Sequence, residues 1–288
     1  MRPAITGLLI FTAVFCGLSA QDSSVASVVA RIAAVERQLP WLWSPAAEGL
    51  SDIPYTYEAR MARRLRTRSG KEIPPVPGAD ALSSWRALHL ERIPLDFGAH
   101  FRCLSQDGAS PCSSEWVQEF QRQAKSRDAL TPEDRARIER TRQERRLRRR
   151  DFWDRFPAAF RFESVGANQL RFSPLPGYKA PPGSTGIQAA IAGRLSFDPS
   201  TYEITRLEYD LLRDADEPFL RLPKGAHFKV ALSRSTDQHY LPLSIFVRRE
   251  RGKARDIEER TDEFSNFRRF ESESKLQFAD PPAYSQLR

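Results

Sequence analysis

Only three cysteines, four histidines and two methionines occur in 288 residues, and their arrangement rules out several chemistries. No HExxH is present, no histidines are closely paired, and no Cys–His combination has metal-site spacing. His89, His100, His227 and His239 therefore read as strand or surface histidines, and no metal or other cofactor is expected. The sequence also lacks a GxSxG elbow, a phosphate-binding loop and a GxGxxG turn, and spacing singles out no pair among its 37 carboxylates. No catalytic residue can be nominated, and the chain reads as a non-enzyme. Beyond residue 20 no apolar run approaches the ~20 residues that cross a bilayer as a helix.

One apolar run is present, at the very start. "MRPAITGLLIFTAVFCGLSA" joins a basic start at Arg2 to an apolar stretch from Ala4 to Phe15 and small residues at Ser19 and Ala20. This is the pattern of a secretory signal peptide over residues 1–20, cleaved after Ala20. Lipoprotein processing at Cys16 is the alternative, but bulky Phe15 sits where such signals carry a small residue. Loss of Arg2 leaves 44 Lys and Arg against 37 Asp and Glu, a formal charge of +7. A soluble basic protein exported to the periplasm or the exterior meets anionic membranes and cell-wall polymers first, so compartment argues against a nucleic-acid partner.

Cleavage leaves two cysteines, Cys103 and Cys112, in "FRCLSQDGASPCSSEW". Export places them in an oxidising space, and Asp107-Gly108 between them reads as a turn, so a disulfide is expected. Pairing of Cys103 with His100 as nucleophile and base is the alternative. Residues three apart on a strand point to opposite faces, which disfavours it.

Local patterns place the elements. Val25, Val28, Val29, Ile32 and Val35 recur at helical spacing, with Ser23 or Ser24 as cap and an end near Pro40. Tyr55, Tyr57, Ala59, Met61 and Leu65 alternate with polar residues, predicting a strand that enters a hairpin at Ser69-Gly70. One or two short strands follow between "WRALHLERIPL" and "AHFRCL". A helical insertion over about 113–157 is rich in arginine, and Thr131, Pro132 and Asp134 start a helix there with a carboxylate variant of the capping box. Glu133 to Arg137 and Glu144 to Arg148 are spaced as supporting ion pairs, and residues 131–150 read as exposed. Arg145, Arg146, Arg148, Arg149 and Arg150 form either a solvated helical face or a cationic patch for an anionic membrane or cell-wall surface.

From Phe160 onward strands succeed one another, each with one apolar face, separated by turns at Asp198-Pro199, Pro223-Lys224-Gly225 and Ser235-Thr236-Asp237. A last short strand is expected around "EFSNFRRFE". The pattern predicts an α+β domain in which a curved antiparallel β-meander is covered by helices.

"GRLSFDPSTYEITRLEYDLL", "HFKVALSRS", "YLPLSIFVRR" and "FSNFRRF" carry a resemblance over about residues 155–270. The order of a strand ending in an Asp-Pro turn, a strand with Arg and Glu, and a later strand opened by Leu-Pro resembles the outer-membrane lipoprotein-sorting (LolA/LolB-like) superfamily. Residues 21–288 read as a single domain, and the resemblance implies that it is an incomplete antiparallel barrel wrapped around helices and enclosing an apolar cavity for acyl chains. The arginine-rich insertion departs from that pattern, and no lipid-contacting residue is carried over. Alternation and resemblance together nominate Leu170, Phe172, Ile191, Leu195, Phe197, Phe228, Val230, Leu232, Leu243 and Ile245 as the lining of a pocket for a lipid or lipoprotein acyl chain. A carrier or sensor predicts a cavity at these residues. An envelope scaffold or protein-interaction module predicts a filled core.

Overall fold

The computed structural model describes residues 23–38, 54–74, 85–95, 98–109, 112, 118, 130–179, 186–217, 220–235 and 240–270. The expected leader at 1–20 with Cys16, most of the insertion before 130, and the turn at Thr236-Asp237 lie outside them. Alternation of apolar and polar residues builds ten strands into a single open antiparallel sheet. They are β1 (Tyr55–Arg66), β2 (Ala87–Leu95), β3 (Gly98–Gln106), β4 (Phe160–Gly166), β5 (Gln169–Pro174), β6 (Ile191–Phe197), β7 (Ile204–Leu211), β10 (His227–Arg234), β11 (Tyr240–Arg251) and β12 (Asp256–Arg269). Their spatial order is β3-β2-β1-β12-β11-β10-β7-β6-β5-β4, while β8 (Ala215–Glu217) and β9 (Leu220–Leu222) pair separately.

The meander expected from Phe160 onward is therefore only part of the sheet. Its last strand, β12, starts well before "EFSNFRRFE" and pairs along nearly its whole length with β1. The predicted turn at Ser69-Gly70 is formed, with Gly70 at positive φ and backbone bonds from Thr67 to Lys71 and from Ile73 to Leu65 around a bridge between Arg66 and Glu72; among the described residues the long pairings of β1 are with β2 and β12.

Two helices supply the apolar stripes that cover one face: α1 (Ser23–Gln38) and α2 (Pro132–Ala159). Val25, Val29 and Ile32 of α1 join Phe152, Trp153 and Phe156 of α2 in the same core cluster as the strands. The capping box that starts α2 is formed: Thr131 Oγ1 accepts from the Asp134 backbone N–H at 3.1 Å, and the Thr131 N–H reaches Asp134 Oδ2 at 3.4 Å. Arg137 pairs with Asp134 at 2.8 Å, one residue along from the expected Glu133. Beyond the exposed stretch the helix continues through "DFWDRFPAA", with Pro157 in its last turn.

Gly193 on β6 marks a close approach between strands. A Cβ there would lie 2.0 Å from the Glu208 carbonyl oxygen and 2.7 Å from the Tyr209 Cα, so only hydrogen fits. The space admits Tyr209, which lies opposite Gly193 and stacks on Phe228 at 4.9 Å. Among the described residues no helix is long and apolar enough to cross a membrane.

Candidate functional site

The covered face gathers most of the nominated apolar residues. Leu170, Phe172, Ile191, Leu195, Phe197, Phe228, Val230, Leu232 and Ile245 are buried in one contiguous cluster spanning β5, β6, β7, β10 and β11. Leu243 is not among them. The pairing of β10 with β11 shifts register between Ala231 and Leu232, so that Leu232 opposes Pro242 and Ala231 opposes Ser244. The extra residue at this bulge is Leu243, which turns outward and stays 47% exposed.

The β4–β5 end of this face is occupied by aromatic rings. Phe156 of α2 lies 5.0–6.0 Å from Phe160, Phe162 and Phe172, and 4.9 Å from Trp153. These edge-on and tilted geometries place ring edges against ring faces and interlock the helix end with the sheet. The sequence pattern missed this anchor because the three apolar residues sit in a run of charge just before a proline.

At the C-terminal end of α1 the stripe is interrupted by a carboxylate. Glu36 is fully buried and accepts from the Tyr240 hydroxyl at 2.5 Å and from the Ile204 backbone N–H at 2.9 Å. Burial first, and then the neighbouring Glu36, push the Tyr240 hydroxyl well above the usual tyrosine range. Arg234 lies over the Tyr240 ring at 5.3 Å and pairs with Glu203. A lone Glu in a helix reads as solvent-facing, so nothing in the sequence marked this contact.

Towards β11, β12 and β1 the same face becomes charged. Ile245 and Val247 oppose Asp262 and Arg260, which in turn oppose Met61 and Arg63. Glu258 accepts from Arg63 Nε at 2.7 Å and Arg249 Nε at 2.9 Å, with Arg251 at 3.4 Å. Asp262 pairs with Arg260 at 2.7 Å, yet burial holds its carboxyl above the usual range.

Cys103 and Cys112 are joined in a disulfide, with Cα atoms 6.1 Å apart. Asp107 and Gly108 both have positive φ, the backbone that a tight reversal requires. The Asp107 carboxylate also accepts the Arg86 and Ala87 N–H groups at 2.8 and 2.7 Å. On α2, Arg146 and Arg150 are exposed, as is Leu147; the side chains of Arg145, Arg148 and Arg149 lie outside the described set. His89 pairs with Glu58 at 2.9 Å and His227 with Asp210 at 2.7 Å; among the described residues no cluster has the makings of a metal site. No family model, curated protein or solved structure matches this chain.

Proposed function

We propose that the protein is an exported binding module without catalytic chemistry, holding a lipid acyl chain or a similar apolar ligand between its sheet and its helices. In this reading the open sheet curves into a half-barrel of the lipoprotein-sorting type, and its nine buried candidates line the binding space. The breadth of the covered face carries the reading. Ten strands at ~4.8 Å spacing extend over roughly 43 Å, whereas the two α-helices among the described residues, ~10 Å in diameter each, span about half of that. The apolar face continues past the helices to Tyr57, Ala59 and Phe264, where Phe267 and the Arg92 guanidinium pack on the Tyr57 ring. An acyl chain is an occupant suited to such a surface, and the arginine-rich stretch of α2 would hold the module near anionic lipid or cell-wall phosphate.

The aromatic packing around Phe156 favours a second reading, an envelope scaffold with a filled core. Solvent extraction of the natively purified protein followed by mass spectrometry separates the two, together with Ile191→Trp and Val230→Trp. A specific co-purified lipid that these variants lose while remaining folded supports the carrier. Absence of any apolar ligand, with destabilisation of ~1–3 kcal/mol from overpacking, supports the scaffold.

A further inference from the structure

On the opposite face of the sheet the strand register creates a second feature. Ser105, His89, Arg60 and Glu263 stand in one row across β3, β2, β1 and β12, each directly opposite the next. The neighbouring row is short: Ala87, Ala62 and Thr261 oppose one another across β2, β1 and β12. A row of alanines beside a row of long side chains leaves a depression, and an open pocket of about 440 Å³ is found there, lined by both rows. That volume lies within the ~300–1,000 Å³ of small-molecule sites.

The charges around it are arranged unusually. Opposite charges facing each other across antiparallel strands ordinarily pair. Arg60 and Glu263 are such neighbours and are both exposed, yet among the described residues neither enters an ion pair. His89 is fixed beside them, because Glu58 takes its Nε2 at 2.9 Å and is itself held by the Asn266 amide at 2.9 Å. These two bonds, the Asn266 one foremost, hold the Glu58 carboxyl below its usual range, and the Arg60 charge on the same strand adds to them. The wall of the pocket therefore presents a guanidinium, an oriented imidazole and the Ser105 hydroxyl on one side, and a carboxylate with the Thr261 hydroxyl on the other.

We propose that this pocket binds a small zwitterion of the α-amino-acid type, its carboxylate against Arg60 and its ammonium against Glu263. A guanidinium offers two parallel donors to a carboxylate, and a zwitterion bridging the row satisfies both charges at once. The site is independent of any ligand on the covered face. Its chemistry is shared by free amino acids and by short peptides, whose charges are further apart.

Isothermal titration with L-alanine and with L-alanyl-L-alanine tests the site, with acetate and ethylammonium as single-charge analogues. At least one zwitterion is expected to bind at least tenfold more tightly than either analogue, and the tighter of the two identifies the source. Arg60→Gln and Glu263→Gln should each weaken that binding at least tenfold, and Ala62→Trp, which fills the floor, should abolish it. All three positions are exposed, so thermal melting should match the wild type. No binding of either zwitterion at 50 mM (on the order of a hundred times a weak site's constant), analogues binding equally well, or unaltered binding by the three variants would overturn the proposal.

Discussion

Glu36 has no exposed surface, and two hydrogen bonds from different parts of the sheet fix it. Removing one donor to a buried carboxylate leaves desolvation uncompensated, so Tyr240→Phe should cost about 1–3 kcal/mol at pH 7 by chemical denaturation. The sign of the pH dependence follows from the raised tyrosine. Folded Tyr240 resists ionisation while the unfolded side chain titrates near ~10, so its contribution is intact below that pH and declines as pH rises. At pH 10.5 the gap between wild type and variant should have narrowed by about 0.8 kcal/mol. An unchanged gap would show that the hydroxyl is not held as described. Tyr57, also raised by burial, is untouched by this substitution and contributes equally to both proteins.

Helix α2 divides into two stretches with opposite roles. Phe156 is buried among five rings and should cost about 3–5 kcal/mol when replaced by Ala, whereas Leu147→Ala, at an exposed site, should stay within about 0.5 kcal/mol. Thermal or urea unfolding of the two variants checks the division. If the exposed stretch serves an anionic surface, changing Arg145, Arg146, Arg148, Arg149 and Arg150 to Gln should abolish binding to phosphatidylglycerol vesicles. Binding by the wild type should weaken with salt, since exposed charges are screened over ~8 Å at physiological ionic strength. The start of α2 was legible because Thr131, Pro132 and Asp134 act locally. The helical insertion was expected to end near 157 and the helix ends at Ala159; the change from an exposed to a buried stretch at Phe152, Trp153 and Phe156 was not legible, because these three apolar residues sit among charges. Alternation likewise revealed most strands of the large sheet and which nine of the ten apolar candidates are buried, but no pattern in a single strand announces the bulge that turns Leu243 outward. The row formed by Ser105, His89, Arg60 and Glu263 was hidden for a similar reason: register is a property of strand pairs.

At the scale of the molecule the sheet formed by the described residues has two edges, β3 and β4. The β3 edge is stapled by the Cys103–Cys112 disulfide, beside a small cluster of Trp85, Leu88, Leu90 and Cys112 that is separate from the main core. Closing a loop of nine residues' separation contributes about 2–3 kcal/mol, so reduction should lower the unfolding midpoint while leaving the main core folded. Non-reducing peptide mapping should find the linked pair, and two free thiols in freshly isolated protein would refute it. The pairing of β1 with β12 has a consequence for how such a chain is made. The first long strand must wait, unpaired on one side, until the ribosome has delivered about two hundred further residues, since its neighbour comes last. Synthesis from the N-terminus can complete the meander from β4 through β7 early, but β1, β2 and β3 remain a detached ribbon with an open edge. A message truncated before Asp256 would thus leave two fragments of sheet with no strand to join them, making the final strand the step at which the nascent chain becomes one body.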